Sequence, residues 1–445
     1  MIFQSKSSHV FERFVWSFVG HSAEFALRTY GFVNSSVNSK SPHDALLERC
    51  GAGRWDSVIK EIKPQCLWFH AASVGEVGGL IPVIKLLDSA KINGVGIASN
   101  RLITTTSLTG QTEVLKHKLT TNSALFPLDS PRVVNKIIDK ISPSLCVITE
   151  TEIWPNFLFA LSKRNIPVIY INGRVSDNSY PNYKRIKYLL KPALQSVFQF
   201  LVQTETDAKR FIEIGAKKDR VKVAGNTKYD KSQAIYCEQE LKSFADALGI
   251  DMKCPVFVAG SVRPEEDRKV IQAFKLARQM LPTLQLIIAP RHPKEFENVA
   301  NMLFEYNFSF HKRSSGNATQ RVQVVLLDTI GELSKVYALA SCAFVGGSFV
   351  DIGGHNPLEP AFYAKPVLMG ESIWGVKQVA NDLIKEDGLC IVSNEEELAR
   401  MIMWFCANQP ERIKAGENAK KVWSSYQGAT DKVVELIQKF CHLEQ

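Results

Sequence analysis

The sequence predicts an α/β protein of two open, parallel-sheet lobes facing across a cleft, and three observations predict it. Short, nearly continuous apolar runs recur at 66–70, 94–98, 145–149, 168–172 and 200–204, and again at 256–259, 284–289, 322–327, 342–345 and 366–369. Runs without polar alternation suit strands covered on both faces. Longer helical segments lie between them, for example 77–89 and 265–280, and repeated strand–helix alternation gives parallel sheets with right-handed crossovers. The series breaks once, at 230–253, which is polar, charged and without a strand. The break divides a first lobe at 46–230 from a second at 231–445, behind an amphipathic, membrane-proximal segment at 1–45. Both lobes fall within the usual domain range.

The composition allows ordinary cores. Of 445 residues, 45% are hydrophobic and 22% charged, a balance that excludes a disordered chain. The net charge of +9 favours anionic partners, although plain solubility accounts for it equally well. Part of the excess is local, at Lys184, Arg185, Lys187 and Lys191 and at Lys217, Lys218, Arg220 and Lys222. Aromatic interleaving is thin in the first cluster and absent from the second, so no nucleic-acid partner is expected. The nine cysteines are scattered, with no Cys-x-x-Cys pair, and read as reduced core thiols and not as a zinc site. No apolar stretch is long enough to span a bilayer. Phe11, Phe14, Val15, Phe18 and Phe25 share one helical face, with Trp16 nearby. A helix lying in a membrane interface and a helix packed on the protein's own body both produce that pattern.

In open α/β sheets, ligands bind beyond the carboxyl ends of the strands, and four motifs begin there. His70-Ala71-Ala72-Ser73-Val74-Gly75-Glu76 runs from a strand into a helix. Small residues let a ligand approach the backbone. Glu76 is either a general base toward a hydroxyl or a first-turn carboxylate on the helix dipole. Glu150-Thr151-Glu152-Ile153-Trp154-Pro155-Asn156 follows the next strand. Its two carboxylates suit an acid/base pair, a grip on substrate hydroxyls, or the orientation of Arg174, and Glu152 can also start a helix. Pro290-Arg291-His292-Pro293 offers a guanidinium fork suited to phosphate beside a titratable ring. The longest string, Phe344-Val345-Gly346-Gly347-Ser348 then Gly353-Gly354-His355-Asn356-Pro357-Leu358-Glu359-Pro360, predicts free backbone N–H groups cradling an anion, with Glu359 toward ribose hydroxyls. There is no phosphate-binding Gly-x-x-x-x-Gly-Lys-Ser/Thr string and no strand-borne Gly-x-Gly-x-x-Gly.

Taken in order, these strings resemble the lipid A Kdo (3-deoxy-D-manno-octulosonic acid) transferases. Further matching segments are 104–110, 172–176, 203–211, Gly225-Asn226-Thr227-Lys228-Tyr229-Asp230 and Asp328-Thr329-Ile330-Gly331-Glu332-Leu333. The resemblance implies a GT-B fold of two Rossmann-like lobes and inverting transfer from CMP-Kdo, a co-substrate, to a lipid A precursor. It implies no cofactor and no required metal. It places the protein peripherally on the cytoplasmic face of the bacterial inner membrane. Glu76 matches the family's proposed base, and Glu150 and Glu152 its acidic pair. Arg291 and His292 match its nucleotide-site Arg-His, and Gly347, Ser348, Asn356 and Glu359 its donor-binding loop and helix. Three departures stand out. The usual N-terminal span is missing. The family's Ser-Thr-His-x-Gly-Glu-Glu reads Ser261-Val262-Arg263-Pro264-Glu265-Glu266, and the Pro and Asn-Phe expected after Gly370 are absent. A sugar-nucleotide 2-epimerase would share the architecture but turn over a UDP-sugar without an acceptor, and a non-catalytic binder would show no turnover.

Overall fold

A computed structural model describes residues 10–34, 40–89, 91–92, 95–96, 100–230 and 234–442. The chain divides into two compact units, 1–231 with 427–445 and 232–426. Each is built on one seven-stranded sheet whose neighbours pair in parallel.

In the first unit the strands run, in spatial order, Ser123–Leu125, Arg101–Thr105, Leu67–His70, Leu145–Thr149, Val168–Gly173, Gln199–Val202 and Val221–Val223. The central strands are wholly buried because helices cover both faces. On one face Trp55, Trp68, Phe126 and Phe157 pack edge to ring. On the other, Val77, Leu80, Val83 and Leu87 of the helix Val74–Ser89 pack with Val433, Val434 and Ile437 of the last helix, Ala429–His442.

That last helix departs from the expected boundary, which carried the second lobe through to 445. Its apolar face needs cover and finds it on the first unit, and Asp230 accepts from the N–H groups of Gly428 and Thr430 at its start. Ile437 is fully buried there. Ile437→Ala is expected to cost roughly 2–5 kcal/mol in urea unfolding; a loss below about 0.5 kcal/mol would mean that the helix is only loosely attached.

In the second unit the order is Phe310–Lys312, Val324–Leu326, Gln285–Pro290, Val256–Val262, Cys342–Val345, Val367–Met369 and Leu389–Ile391. Phe257, Phe274, Leu286, Ile288 and Phe344 centre one side of its core, and Leu248, Val258, Ile287 and Tyr337 the other.

Two expectations change. The run 94–98 has no described residue in either seven-stranded sheet. Its described part, Val95–Gly96, makes a short antiparallel pair with Lys91–Ile92, and residues 94, 97 and 98 lie outside the described residues. The sheet strand is Arg101–Thr105 instead, where two buried β-branched threonines take the place of aliphatic residues. Among the cysteines, Cys50, Cys66, Cys146 and Cys342 are buried free thiols, but Cys237 is exposed.

Candidate active site

Both sheets reverse their order at one strand, and the crevice beside such a strand is where open α/β sheets bind ligands. In the first unit that strand is Leu67–His70, flanked by Arg101–Thr105 and Leu145–Thr149. Glu76, Glu150 and Glu152 all follow strands of this group.

Glu76 is only 8% exposed. Its Oε2 accepts from the Ala72 N–H at 2.8 Å and the Thr149 hydroxyl at 2.9 Å, and its Oε1 from the Ser73 hydroxyl at 3.1 Å. These bonds fix the carboxylate but do not offset its burial. Desolvation, helped by the nearby charges of Glu150 and Glu152, raises its pKa above the ordinary carboxylate value of 4.5. The Ser73 hydroxyl also accepts from the Glu76 N–H at 3.3 Å, so the carboxylate caps the start of its helix, and its burial is what sets it apart from an ordinary solvent-exposed cap.

Glu150 adopts a left-handed backbone, φ 56, a conformation that costs a non-glycine residue energy. Its carboxylate pairs with Lys228 Nζ at 2.7 Å. The orientation of Arg174 by the acidic pair therefore does not hold. The cation at Glu150 is Lys228, while Arg174 is exposed and acts on Asp207 and Tyr229. Lys228 is delivered by a knot of three residues. The Asn172 side chain binds the Thr227 hydroxyl at 2.8 Å and the Thr227 N–H at 2.9 Å, and the Thr227 hydroxyl donates to Gly79 O at 2.5 Å. A Cβ on Gly79 would lie 2.7 Å from the Asn172 amide, which accounts for the glycine. Glu152 accepts from the Trp154 indole at 3.1 Å and lies 3.7 Å from His70 Nε2.

In the second unit the reversal falls at Val256–Val262, between Gln285–Pro290 and Cys342–Val345. The glycine-rich loop follows the latter, and it is not a free cradle. The Glu266 carboxylate, fully buried, fills it. Its oxygens accept from the N–H groups of Gly347 (2.6 Å), Ser348 (2.8 Å), Phe349 (2.7 Å) and Arg263 (2.9 Å). The Ser348 hydroxyl is also committed, donating to Val345 O and accepting from Gly370 N. Gly347 and Ser348 therefore hold the loop's shape, and their amides are not open to a ligand. Gly346 is required by a close approach, since a Cβ there would lie 2.4 Å from Ser261 O. Asn356 accepts from Leu358 N at 3.1 Å and leaves its amide nitrogen to other partners. Glu359 is half-buried on the helix Leu358–Phe362, and its charge acts on Tyr337 and Tyr363.

Beside this loop stands a cationic cluster. Arg263 donates from Nη1 toward His292 Nε2 at 2.6 Å and from Nε to His355 Nε2 at 3.1 Å. An arginine only donates, so both rings accept at Nε2 and carry their proton on Nδ1. Desolvation and then Arg263 and Arg291 push both pKa values down, that of His355 to about 4. The Arg291 side chain is exposed. Glu265 explains the altered family string: its φ of 75 is a glycine-type conformation. Glu265 thus takes the string's glycine position, Arg263 its histidine and Glu266 its first glutamate. Composition gave no hint of Glu266, Arg263, His355 or Lys228 as site residues; the signals were the strings that contain them, 261–266 for Arg263 and Glu266, 353–360 for His355 and 225–230 for Lys228.

Comparison with known proteins decides the family. The 3-deoxy-D-manno-octulosonic-acid transferase (kdotransferase) family matches residues 44–231. A 3-deoxy-D-manno-octulosonic acid transferase of Haemophilus influenzae is 31% identical over 85% of this chain and 87% of its own length. The chain belongs to the 3-deoxy-D-manno-octulosonic acid transferase family. It is therefore a glycosyltransferase. A bifunctional glycosyltransferase/methyltransferase of Fusobacterium nucleatum is 36% identical over 76% of this chain, which spans about half (52%) of that longer protein. Among solved structures, a UDP-GlcNAc 2-epimerase from Neisseria meningitidis covers 84% of this chain and 99% of its own, with TM-score 0.54 and 14% identity. At that identity the likeness speaks to the fold alone, and it agrees with the two-sheet α/β architecture of GT-B proteins.

Proposed function

We propose that the chain transfers Kdo from CMP-Kdo to a lipid A precursor, lipid IVA, inverting the anomeric carbon, in lipopolysaccharide core biosynthesis. The observation that carries the reading is Glu76: a buried carboxylate, held by three hydrogen bonds and with a raised pKa, at the switch point of its sheet. Glu76 takes the proton of a primary sugar hydroxyl as that oxygen attacks the anomeric carbon. The bond from this carbon to the phosphate oxygen breaks, and CMP leaves with the electron pair. Arg291 supplies fixed positive charge to the leaving phosphate, with His292 beside it and no metal required. Glu150, held by Lys228, and Glu152 suit acceptor hydroxyls, and Asn356 and Glu359 suit those of the nucleotide. With CMP-Kdo and lipid IVA, CMP release should match the lipid's gain of Kdo mass, and omitting the lipid should stop both. Turnover of a UDP-sugar without acceptor would favour the epimerase reading instead.

The same reading has the enzyme dock peripherally on an anionic membrane. No helix among the described residues is long and apolar enough to cross one. The helix Val10–Asn34 is anchored through Trp16, whose indole donates to Leu189 O at 2.9 Å and whose carbonyl accepts from the Asn156 amide at 2.8 Å. Phe11, Phe14, Phe18 and Phe25 face outward, each at least 67% exposed. Leu189 belongs to the basic stretch of Lys187 and Lys191, where Tyr188 is also exposed. Aromatic side chains flanked by lysines suit an interface with anionic headgroups. Phe14→Asp with Phe18→Asp should cut flotation with anionic vesicles at least about 10-fold; undiminished flotation would rule out this face.

A further inference from the structure

We propose that Arg263 is a donor-binding residue, the rigid cation that grips an anionic group of the sugar nucleotide. The proposal rests on the CMP-Kdo reading for the identity of its ligand, but not for the existence of the site. Two of the five guanidinium N–H donors of Arg263 are spent on His292 and His355. The other three have no acceptor among the described residues, and Arg263 as a residue is half-buried. Neither Arg263 nor Arg291 has a carboxylate within ion-pair distance among those residues. Two unpaired guanidinium groups therefore lie close enough to the same two imidazoles for both to lower their pKa values.

Such a concentration of positive charge repels itself unless an anion joins it. Its place fits a ligand site, since Arg263 follows Val256–Val262, the strand at which the sheet reverses. The backbone of Arg263 is fixed as well: its N–H donates to Glu266, the carboxylate that holds the glycine-rich loop. The two histidines clamp the plane of the fork, so little side-chain freedom is lost when an anion binds. The donor carries two anionic groups, the phosphate diester and the sugar carboxylate, and the cluster offers two guanidinium forks. Histidine at the family string's position offers at most one donor to such a group. Arginine offers a bidentate pair, so this chain makes the grip in its own way.

The test is calorimetric binding of CMP and of CMP-Kdo to the full-length wild type, Arg263→Met and Arg263→Lys, with melting temperatures as the folding control. Histidine ring resonances are followed in parallel during titration with inorganic pyrophosphate. Arg263→Met should lose roughly 10- to 100-fold in affinity, the loss of one charge-assisted contact, with Arg263→Lys recovering only part. A loss for both ligands assigns the fork to the phosphate, and a loss for CMP-Kdo alone assigns it to the carboxylate. In the wild type, pyrophosphate should shift the His292 and His355 resonances, and in Arg263→Met it should not. Wild-type affinity for both ligands in a folded Arg263→Met protein would overturn the proposal. Pyrophosphate shifts without any binding of CMP or CMP-Kdo would leave the anion site standing and remove the donor reading instead.

Discussion

Glu266→Gln should unfold at markedly lower denaturant, losing about 3 kcal/mol, although it changes one oxygen for one nitrogen. The carboxylate accepts two backbone N–H groups on each oxygen: Arg263 and Gly347 on Oε2, Ser348 and Phe349 on Oε1. An amide keeps one acceptor. Its NH2 then faces two donors, leaving two buried backbone amides without partners at about 1–3 kcal/mol each. Glu266→Asp keeps the charge but is one methylene short of the loop, and should fall between the variant and the wild type. Because the same carboxylate positions Gly347 and Ser348 beside the Arg263 cluster, CMP affinity should drop along with stability. A loss below about 0.5 kcal/mol in urea unfolding would show that the loop holds its shape without the carboxylate.

Glu76→Gln separates the proposed chemistry from the fold. Loss of a general base costs about 10²- to 10⁴-fold in rate, and kcat should fall by that order while donor affinity stays. Stability should move the other way. A carboxylate whose pKa is higher in the folded state than its unfolded 4.5 contributes most to stability at low pH. That contribution is lost as pH rises through the folded value. The glutamine escapes this loss. Its oxygen can accept from Ala72 and Thr149, and its amide can donate to Ser73. The variant should therefore match the wild type near pH 4 and be the more stable protein above neutrality. The wild-type kcat/KM should also show its acid limb above 4.5, where Glu76 loses its proton. A wild-type protein more stable than Glu76→Gln at pH 8 would mean that the carboxylate is kept for the fold.

The inner strands of both sheets, except Arg101–Thr105 with its two threonines, were legible because burial on both faces forces unbroken apolar runs. The edge strands were not. Ser123–Leu125, Val221–Val223, Phe310–Lys312 and Leu389–Ile391 are the four outermost strands, three residues each. An edge half-open to water tolerates polar residues such as Lys222, His311 and Lys312, which hide the pattern. The last helix was assigned to the wrong unit because an apolar face shows that it must be covered, not by what. Within the site, Glu76, Glu150, Arg291 and His292 announced themselves as charges next to strand ends. The cradle misled because sequence reveals backbone N–H groups but not their partners. Glu266 lies some eighty positions earlier, in a segment whose resemblance was obscured by Glu265 adopting a glycine's backbone.

In the proposed mechanism Glu76 removes the acceptor's proton during sugar transfer. A single-turnover reaction with excess enzyme, CMP-Kdo and lipid IVA, read for CMP by chromatography and for lipid by mass spectrometry, tests it most directly. The wild type should yield one CMP for each Kdo gained by the lipid, and donor-loaded Glu76→Gln should yield almost none of either. Wild-type transfer by the glutamine variant would contradict the claim.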